Sequence, residues 1–118
     1  MKRKVSIIIL ATFLAIFLGN ILPMITNSYG GEVDQGKTLF DSKCVICHGA
    51  NGKGDGPAAA ALNPPPRDFS SSQFWQGNMD QEIADTIRNG LSPMPAFDLS
   101  DGEIKAIIDY MKHTFKSN

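Results

Sequence analysis

The stretch Cys44-Val45-Ile46-Cys47-His48 decides how the rest of this chain must be organised. Two cysteines separated by two residues, with a histidine directly after the second, form the attachment signature of a c-type haem. Each thiol can form a thioether bond with one vinyl group of the porphyrin, and the histidine can bind the iron as proximal ligand. The sequence therefore predicts one haem c, bound covalently through Cys44 and Cys47, with His48 as a metal ligand.

The same two cysteines admit other kinds of site. Cys-x-x-Cys pairs also occur in disulfide redox centres and in zinc sites. Because Cys44 and Cys47 are the only cysteines of the 118-residue chain, a zinc site would need His48 and His113 as its remaining ligands. A plain disulfide between them would close a very short loop, which constrains the unfolded chain little. We favour haem, with zinc and a disulfide as the alternatives.

The N-terminal part of the chain has the pattern of an export signal. Basic residues at positions 2–4 are followed by no charge until Glu32, and residues 5–18 are an apolar core of the length usual in secretory signals. Small residues on either side of Tyr29 predict cleavage after Gly30. Residues 1–30 are therefore predicted to be a signal peptide.

Residues 31–118 are then predicted to be the haem domain, exported to the periplasm or another extracytoplasmic space. An uncleaved anchor is the alternative, because the apolar stretch is nearly long enough to span a bilayer. Such an anchor would hold the domain at the outer face of the inner membrane, since the basic residues stay cytoplasmic.

The chain that follows the predicted signal peptide carries a net negative charge. From Glu32 onwards there are eight Lys and Arg residues against all 12 Asp and Glu residues, a net charge of −4. An acidic module lacks the electrostatic footprint of a nucleic-acid-binding protein, so we exclude that class of partner. We expect a basic partner to associate more weakly as salt rises.

Apolar periodicity predicts three helices and no strand. The first runs over residues 33–43, where Gly36 suggests either close approach of another helix or a later helix start. The second runs from an N-cap at Asp80 to Asn89, with Gly90 as a left-handed C-cap. The third begins at Ser100, where a Glu three residues later completes a capping box. After Gly31, no run alternates β-branched and polar residues, so a thioredoxin-like scaffold is absent.

Three loop residues are candidates for supporting the haem. Four glycines in residues 49–56 predict tight turns with positive φ. The carbonyl of Pro57, which follows, is a candidate acceptor for the second ring nitrogen of His48; a plain turn proline is the alternative. Pro64–Pro66 predict an extended stretch; Arg67 follows it directly and Trp75 shortly after, and both are candidates for contacting the haem propionates. Solvation of Arg67 and packing of Trp75 are the alternatives.

The sixth iron ligand is predicted to be Met94. It lies between Pro93 and Pro95, which deny helix and sheet bonding and leave a stiff extended loop that projects the side chain. Met79 is the weaker candidate because it lies at a helix entrance, where an apolar residue usually packs. His113 is expected to face solvent, which argues against the zinc site and against two histidine ligands.

Residues 33–115 resemble class I c-type cytochromes, of the small bacterial mono-haem kind. The resemblance is carried by the first helix with Gly36 and Phe40, by Cys-Val-Ile-Cys-His-Gly and Gly-Asp-Gly-Pro, by Asn-Gly-Leu with Met-Pro-Ala-Phe, and by Tyr110 in the last helix. It implies an all-α cytochrome c fold, with three to four helices wrapped around one covalently attached haem and with the terminal helices crossing. It also implies His48 and Met94 as axial ligands.

The function expected from these features is one-electron transfer between redox proteins, without catalysis of a substrate reaction. The alternative is a haem domain with an open sixth site, acting as a gas sensor or a small peroxidase. No histidine or arginine close to Met94 in the sequence supports peroxide chemistry.

Overall fold

The computed structural model describes residues 28–116, and side chains from residue 30 onwards. This part of the chain contains α1 (Ser28–Lys43), α2 (Val45–His48), a short 3-10 segment (Ala59–Ala61), α3 (Met79–Asn89) and α4 (Asp101–Phe115). No strand occurs between residues 28 and 116, which confirms the all-α class. Within the same range, no helix is both long and apolar enough to cross a membrane. The predicted signal peptide or anchor lies almost entirely outside the described residues and stays a prediction.

Helices α1 and α4 cross at Gly36. A Cβ atom built on Gly36 would lie 1.9 Å from the backbone oxygen of Ala106, far inside any real contact distance. Phe40 is fully buried at this crossing, and its ring lies 5.4 Å from the rings of both Tyr110 and Phe115. Close helix approach is therefore the reason for glycine at position 36, and the expected crossing of the terminal helices is confirmed.

The predicted start of α1 at Val33 is wrong, because the helix already begins at Ser28. Its end at Lys43 is as predicted. Glu32, near the start of α1, forms an ion pair with Lys105 of α4, with 3.3 Å between Oε2 and Nζ. This contact extends the α1–α4 pairing on the N-terminal side of Gly36, where the sequence has no apolar periodicity to reveal a helix.

The N-cap of α3 also differs from the prediction. The cap is Asn78, without a side-chain hydrogen bond, and Asp80 lies in the first turn. Asp80 is engaged elsewhere: its carboxylate accepts a hydrogen bond from Lys112 Nζ at 2.8 Å. Gly90 closes the helix with a φ of 73°, and its N–H donates to the Thr86 carbonyl. Its ψ of 165° lies outside the left-handed helical region, so the positive φ is confirmed and the left-handed helical cap is not.

Helix α4 agrees with its predicted start and packing. Ser100 and Glu103 form the capping box, each accepting a hydrogen bond from the other's backbone N–H. The apolar stripe is buried, and consists of Ile104, Ile107, Ile108, Met111 and Phe115 together with Tyr110. His113 is exposed, as expected from its position on the opposite side of the helix.

The loop around Met94 is not free of sheet-type bonding, contrary to the prediction. Leu91 and Met94 form an isolated antiparallel bridge: the Met94 N–H donates to the Leu91 carbonyl at 2.8 Å, and the Leu91 N–H donates back at 3.0 Å. Both residues keep their N–H groups, and Ser92 and Pro93 form the turn between them. The flanking prolines therefore do not prevent pairing across this turn.

Candidate functional site

A cavity of about 640 Å³ lies beside the Cys44–His48 turn. Its wall is mainly apolar and comes from α1, α2, α3, α4 and the loops that connect them. Five of the sequence-predicted site residues contribute to this wall: Cys44, Cys47, His48, Arg67 and Met94. Pro57 and Trp75 do not belong to it.

The two cysteines are presented by the junction of α1 and α2. Cys44 continues the helical hydrogen bonding of α1 through its N–H to the Phe40 carbonyl at 2.8 Å, and its own carbonyl accepts from the His48 N–H at 2.9 Å. The spacing of two residues thus forms one helical turn, with both thiols half-buried and no disulfide between them. The turn therefore presents both sulfur atoms and the imidazole on one wall of the cavity.

Burial raises the pKa of the Cys44 thiol to about 11, although Lys43 acts in the opposite direction. The thiol is therefore protonated at neutral pH. Disulfide exchange needs the thiolate, so this environment disfavours a disulfide redox centre at Cys44.

A zinc site is disfavoured by the position of its fourth candidate ligand. His113 lies exposed on α4, away from the buried stripe of that helix. Among residues 28–116, no group of three or more His, Cys, Asp and Glu side chains is close enough to hold a metal ion.

The imidazole of His48 stacks on the ring of Phe69. The two ring centroids are 4.5 Å apart and the ring planes differ by 19°. Burial lowers the pKa of His48, and the backbone of Arg67 acts in the opposite direction. A neutral imidazole is the form in which histidine binds metals, so this environment suits an iron ligand.

Pro57 does not orient His48 in this structure. The Nδ1 atom of His48 is buried and has no hydrogen-bond partner among the described residues, which contradicts the predicted bond to the Pro57 carbonyl. The loop around Pro57 instead donates its N–H groups to the cysteine turn: Gly56 to Cys47 at 3.1 Å and Ala58 to Ile46 at 2.9 Å. Pro57 is exposed, as a turn proline usually is.

The indole N–H of Trp75 donates to the Phe69 carbonyl at 2.8 Å, and its contact with a propionate stays a prediction. Its ring meets the Phe74 ring edge-on at 4.9 Å, so the structure supports the packing alternative. Arg67 lies at the cavity with its guanidinium 5.9 Å from the centre of the Phe74 ring. Its contact with a propionate stays a prediction.

Three methionines line the cavity: Met79, Met94 and Met111. Met111 is 3% exposed within the stripe of α4, and Met79 is 7% exposed at the start of α3. Met94 is less buried, and its backbone is held by the bridge to Leu91. Met94 is thus the methionine with least role in packing the core.

Phe69 is the residue of this site that the sequence did not reveal. It is 7% exposed and lies directly against His48. It follows an irregular proline-rich segment, where no helical or strand period indicates which side chain turns inward. An aromatic residue soon after three prolines was the one available signal.

The cavity fits a haem on grounds of its own chemistry. Its wall is apolar, two thiols and an imidazole with a lowered pKa lie on one part of it, and methionine thioethers lie on others. These are the donors that hold haem c and its iron in proteins.

Comparison with known proteins agrees with this site. The family profile described as Cytochrome c matches residues 33–115. A cytochrome c-553-like protein of Synechocystis sp. is 27% identical over 118 residues, covering 95% of this chain and 98% of the relative. Cytochrome c6 of Cyanidium caldarium is 22% identical, covering 94% and 93%.

Two further relatives are longer than this chain. The Cbb3-type cytochrome c oxidase subunit CcoP of Azospirillum brasilense is 31% identical over 81 residues, which are 66% of this chain and 27% of that subunit. A chain of the reducing HAO-like protein complex of Kuenenia stuttgartiensis superposes with a TM-score of 0.61 at 30% identity. That match covers 79% of this chain and 47% of the other, so this chain spans less than half of either relative.

Proposed function

Because this chain belongs to the cytochrome c family, whose members bind haem c covalently, we propose that it is an exported mono-haem one-electron carrier. The observation that supports this most directly is the Cys44–His48 turn, which opens onto an apolar cavity that Met94 also lines. No substrate reaction is part of this proposal, so the protein acts in electron transfer and not as an enzyme.

In this proposal Cys44 and Cys47 hold the haem through thioether bonds, and His48 and Met94 are the axial ligands. When bound, the haem supplies an iron that cycles between ferric and ferrous states. The chain supplies the ligands and excludes water with its apolar wall. A methionine ligand favours ferrous iron and raises the reduction potential relative to two histidines.

We place this domain outside the cytoplasm, on the basis of the export pattern in residues 1–30. The predicted cut after Gly30 lies within the first turns of α1, so it would leave the Gly36 crossing intact. The mass of the mature protein distinguishes a cleaved signal from an anchor.

The partners in this proposal are other redox proteins, met through small transient interfaces. The likeness to the oxidase subunit CcoP suggests one class of acceptor, a cytochrome c oxidase. The likeness to the cytochrome c-553-like protein and to cytochrome c6 extends over nearly the whole chain, and supports the role of an electron carrier.

The first experiment is the absorption spectrum of the purified holoprotein, oxidised and reduced, with and without carbon monoxide. Sharp reduced bands that carbon monoxide leaves unchanged, with the weak red band of sulfur ligation in the oxidised state, are expected for His48 and Met94 ligation. In Met94→Leu we expect that red band to disappear and the reduced spectrum to shift with carbon monoxide. The matched control, Met79→Leu, should behave like the wild type.

Other results would change the proposal in defined ways. A wild-type reduced spectrum that shifts with carbon monoxide would favour the open sixth site, and with it the gas sensor or small peroxidase. Loss of the red band in Met79→Leu instead of Met94→Leu would reassign the ligand. A wild-type protein without haem bands, produced with haem-attachment machinery present, would contradict the proposed function.

A further inference from the structure

The contact between His48 and Phe69 differs from the other aromatic contacts of this core. The two rings are 4.5 Å apart and tilted by only 19°, so they lie nearly flat on each other. Phe69 meets its other neighbours, Phe40, Phe74 and Phe115, at angles between 36° and 65°. A nearly parallel stack resists rotation of the imidazole about the bond to its Cβ, because rotation would drive the ring edge into the neighbouring face.

The hydrogen bonding of His48 is less well defined than its stack on Phe69. A histidine that binds a metal through one nitrogen normally donates the other N–H to a carboxylate, carbonyl or water, and this bond sets the plane of the ring. In this structure Nδ1 of His48 is buried without a hydrogen-bond partner among the described residues. A hydrogen bond between His48 and the backbone of Arg67 acts on the pKa of His48, and Arg67 lies two residues before Phe69. The stack on Phe69 and this backbone contact therefore restrain the imidazole from the same segment.

Both backbone polar groups of Phe69, the N–H and the carbonyl, form hydrogen bonds that fix its position. Its N–H donates to the Gly52 carbonyl at 2.6 Å. This bond ties Phe69 to residues 49–56, the glycine loop that follows His48. Its carbonyl accepts from the Trp75 indole N–H at 2.8 Å. The ring, 7% exposed, is enclosed by Phe40 at 6.4 Å and Phe74 at 4.9 Å.

The segment before Phe69 is also fixed against the glycine loop. A Cβ atom on Gly54 would lie 2.3 Å from the Pro66 carbonyl oxygen, so these two backbones pack as closely as glycine allows. The N–H of Gly54 donates to the His48 carbonyl at 2.9 Å. One continuous set of backbone contacts thus joins His48, the glycine loop and the proline-rich segment that places Phe69.

We propose that Phe69 is a positioning residue that sets the plane of the His48 imidazole, and so the orientation of the iron ligand. This inference rests on the proposed function, since it gives His48 the role of proximal ligand. The orientation of an axial imidazole determines which iron orbital carries the unpaired electron of ferric haem, and this controls how spin density spreads over the four pyrrole rings. Phe69 thereby influences the haem without touching the iron.

The test is the proton NMR spectrum of the ferric holoprotein, in which the four haem methyl resonances report the spread of spin density. In Phe69→Leu we expect these resonances to change their spacing or their order. The matched control is Phe115→Leu, which removes a buried ring 6.2 Å from Phe69 that is not part of the cavity wall. It should lower the unfolding midpoint and keep the wild-type methyl pattern, whereas Phe69→Tyr, which keeps the ring, should restore that pattern.

An unchanged methyl pattern in Phe69→Leu, or an equal change in Phe115→Leu, would overturn the positioning role and leave the proposed function intact. If Phe69→Leu does not accumulate as holoprotein, the same criterion applies to Phe69→Met, because methionine fills irregular space with less loss of packing. A wild-type protein without haem would overturn both the proposed function and this inference.

Discussion

Phe40 connects the helix crossing to the haem cavity. It is fully buried, its ring contacts Tyr110 and Phe115 of α4, and it also forms part of the cavity wall. Its backbone carbonyl accepts the N–H of Cys44 at 2.8 Å. A disturbance of the α1–α4 crossing therefore has a short route to the haem-attachment turn, through a single residue.

Gly36→Ala should destabilise the protein, although alanine is the better helix former. Propensity alone would favour alanine by about 1 kcal/mol. The new Cβ would lie 1.9 Å from the Ala106 oxygen, and overpacking of this kind costs about 1–3 kcal/mol or more. We expect a lower free energy of unfolding in denaturant titration of the holoprotein.

Gly102→Ala is the matched control for this substitution. Gly102 lies in the first turn of α4, and a Cβ there would meet nothing within 4 Å. The free energy of unfolding of the Gly102→Ala protein should stay unchanged or rise by up to about 1 kcal/mol. Equal effects of the two substitutions would contradict the close approach of the helices.

At the scale of the elements, α4 carries its own start signal. Ser100 Oγ accepts from the Glu103 N–H at 3.3 Å, while Glu103 Oε2 accepts from the Ser100 N–H at 2.9 Å. Both groups belong to a four-residue stretch, so their geometry needs no distant partner. Helix α3 lacks such a box, and Asp80 in its first turn forms an ion pair with Lys112 of α4.

The capping box predicts a pH dependence of stability. Hydrogen bonds from the backbone and side chain of Ser100 hold the pKa of Glu103 below its ordinary value of 4.5. The folded state therefore favours the carboxylate; its contribution is present above the ordinary pKa and is lost as pH falls through the lowered folded pKa. Glu103→Gln should destabilise the protein at neutral pH, and the difference from wild type should shrink below pH 4.5.

The measurement for Glu103 is the unfolding midpoint of wild type and variant across this pH range. Asp98→Asn removes an exposed carboxylate near the same helix end and is the matched control. It should leave the acid dependence that Glu103 causes unchanged. A difference between wild type and Glu103→Gln that is constant with pH would contradict the role of the ionised carboxylate.

At the scale of the whole molecule, opposite charges are distributed unequally. Four basic side chains, Lys37, Arg88, Lys105 and Lys112, form ion pairs with acidic residues of the helices. The cavity wall, by contrast, includes Lys43 and Arg67 together with one acidic residue, Glu82. The net charge of −4 after the predicted signal is therefore not a property of the region around the cavity.

Small oxidants of opposite charge can show whether the net charge of the protein or the charge around the cavity governs association. If the net negative charge governs association, oxidation of the ferrous protein by a cationic cobalt(III) complex should slow as salt rises, and oxidation by hexacyanoferrate(III) should accelerate. We expect this result, measured by stopped-flow absorbance. The reverse salt dependence would show that Lys43 and Arg67 control approach, and would contradict the predicted preference for a basic partner.

The sequence by itself determined the features that depend on neighbouring residues. The Cys44–His48 signature, the capping box at Ser100 and the turns of the glycine loop are all local, since each depends on spacing over a few positions and on backbone preferences. The all-α class followed from periodicity for the same reason. Gly36 was an intermediate case, because its cost within a helix suggested either a close neighbour or a later helix start, and only the structure identified Ala106 as that neighbour.

Only the tertiary structure decided which residues meet across the cavity. Phe69 stacks on His48 because the proline-rich segment folds back onto the glycine loop, a contact between irregular segments that no period encodes. Trp75 donates to the Phe69 carbonyl and Asp80 pairs with Lys112 of another helix, whereas Nδ1 of His48 has no partner at Pro57. The physical reason is that side-chain partners are chosen by proximity in space, which the chain acquires only when it folds.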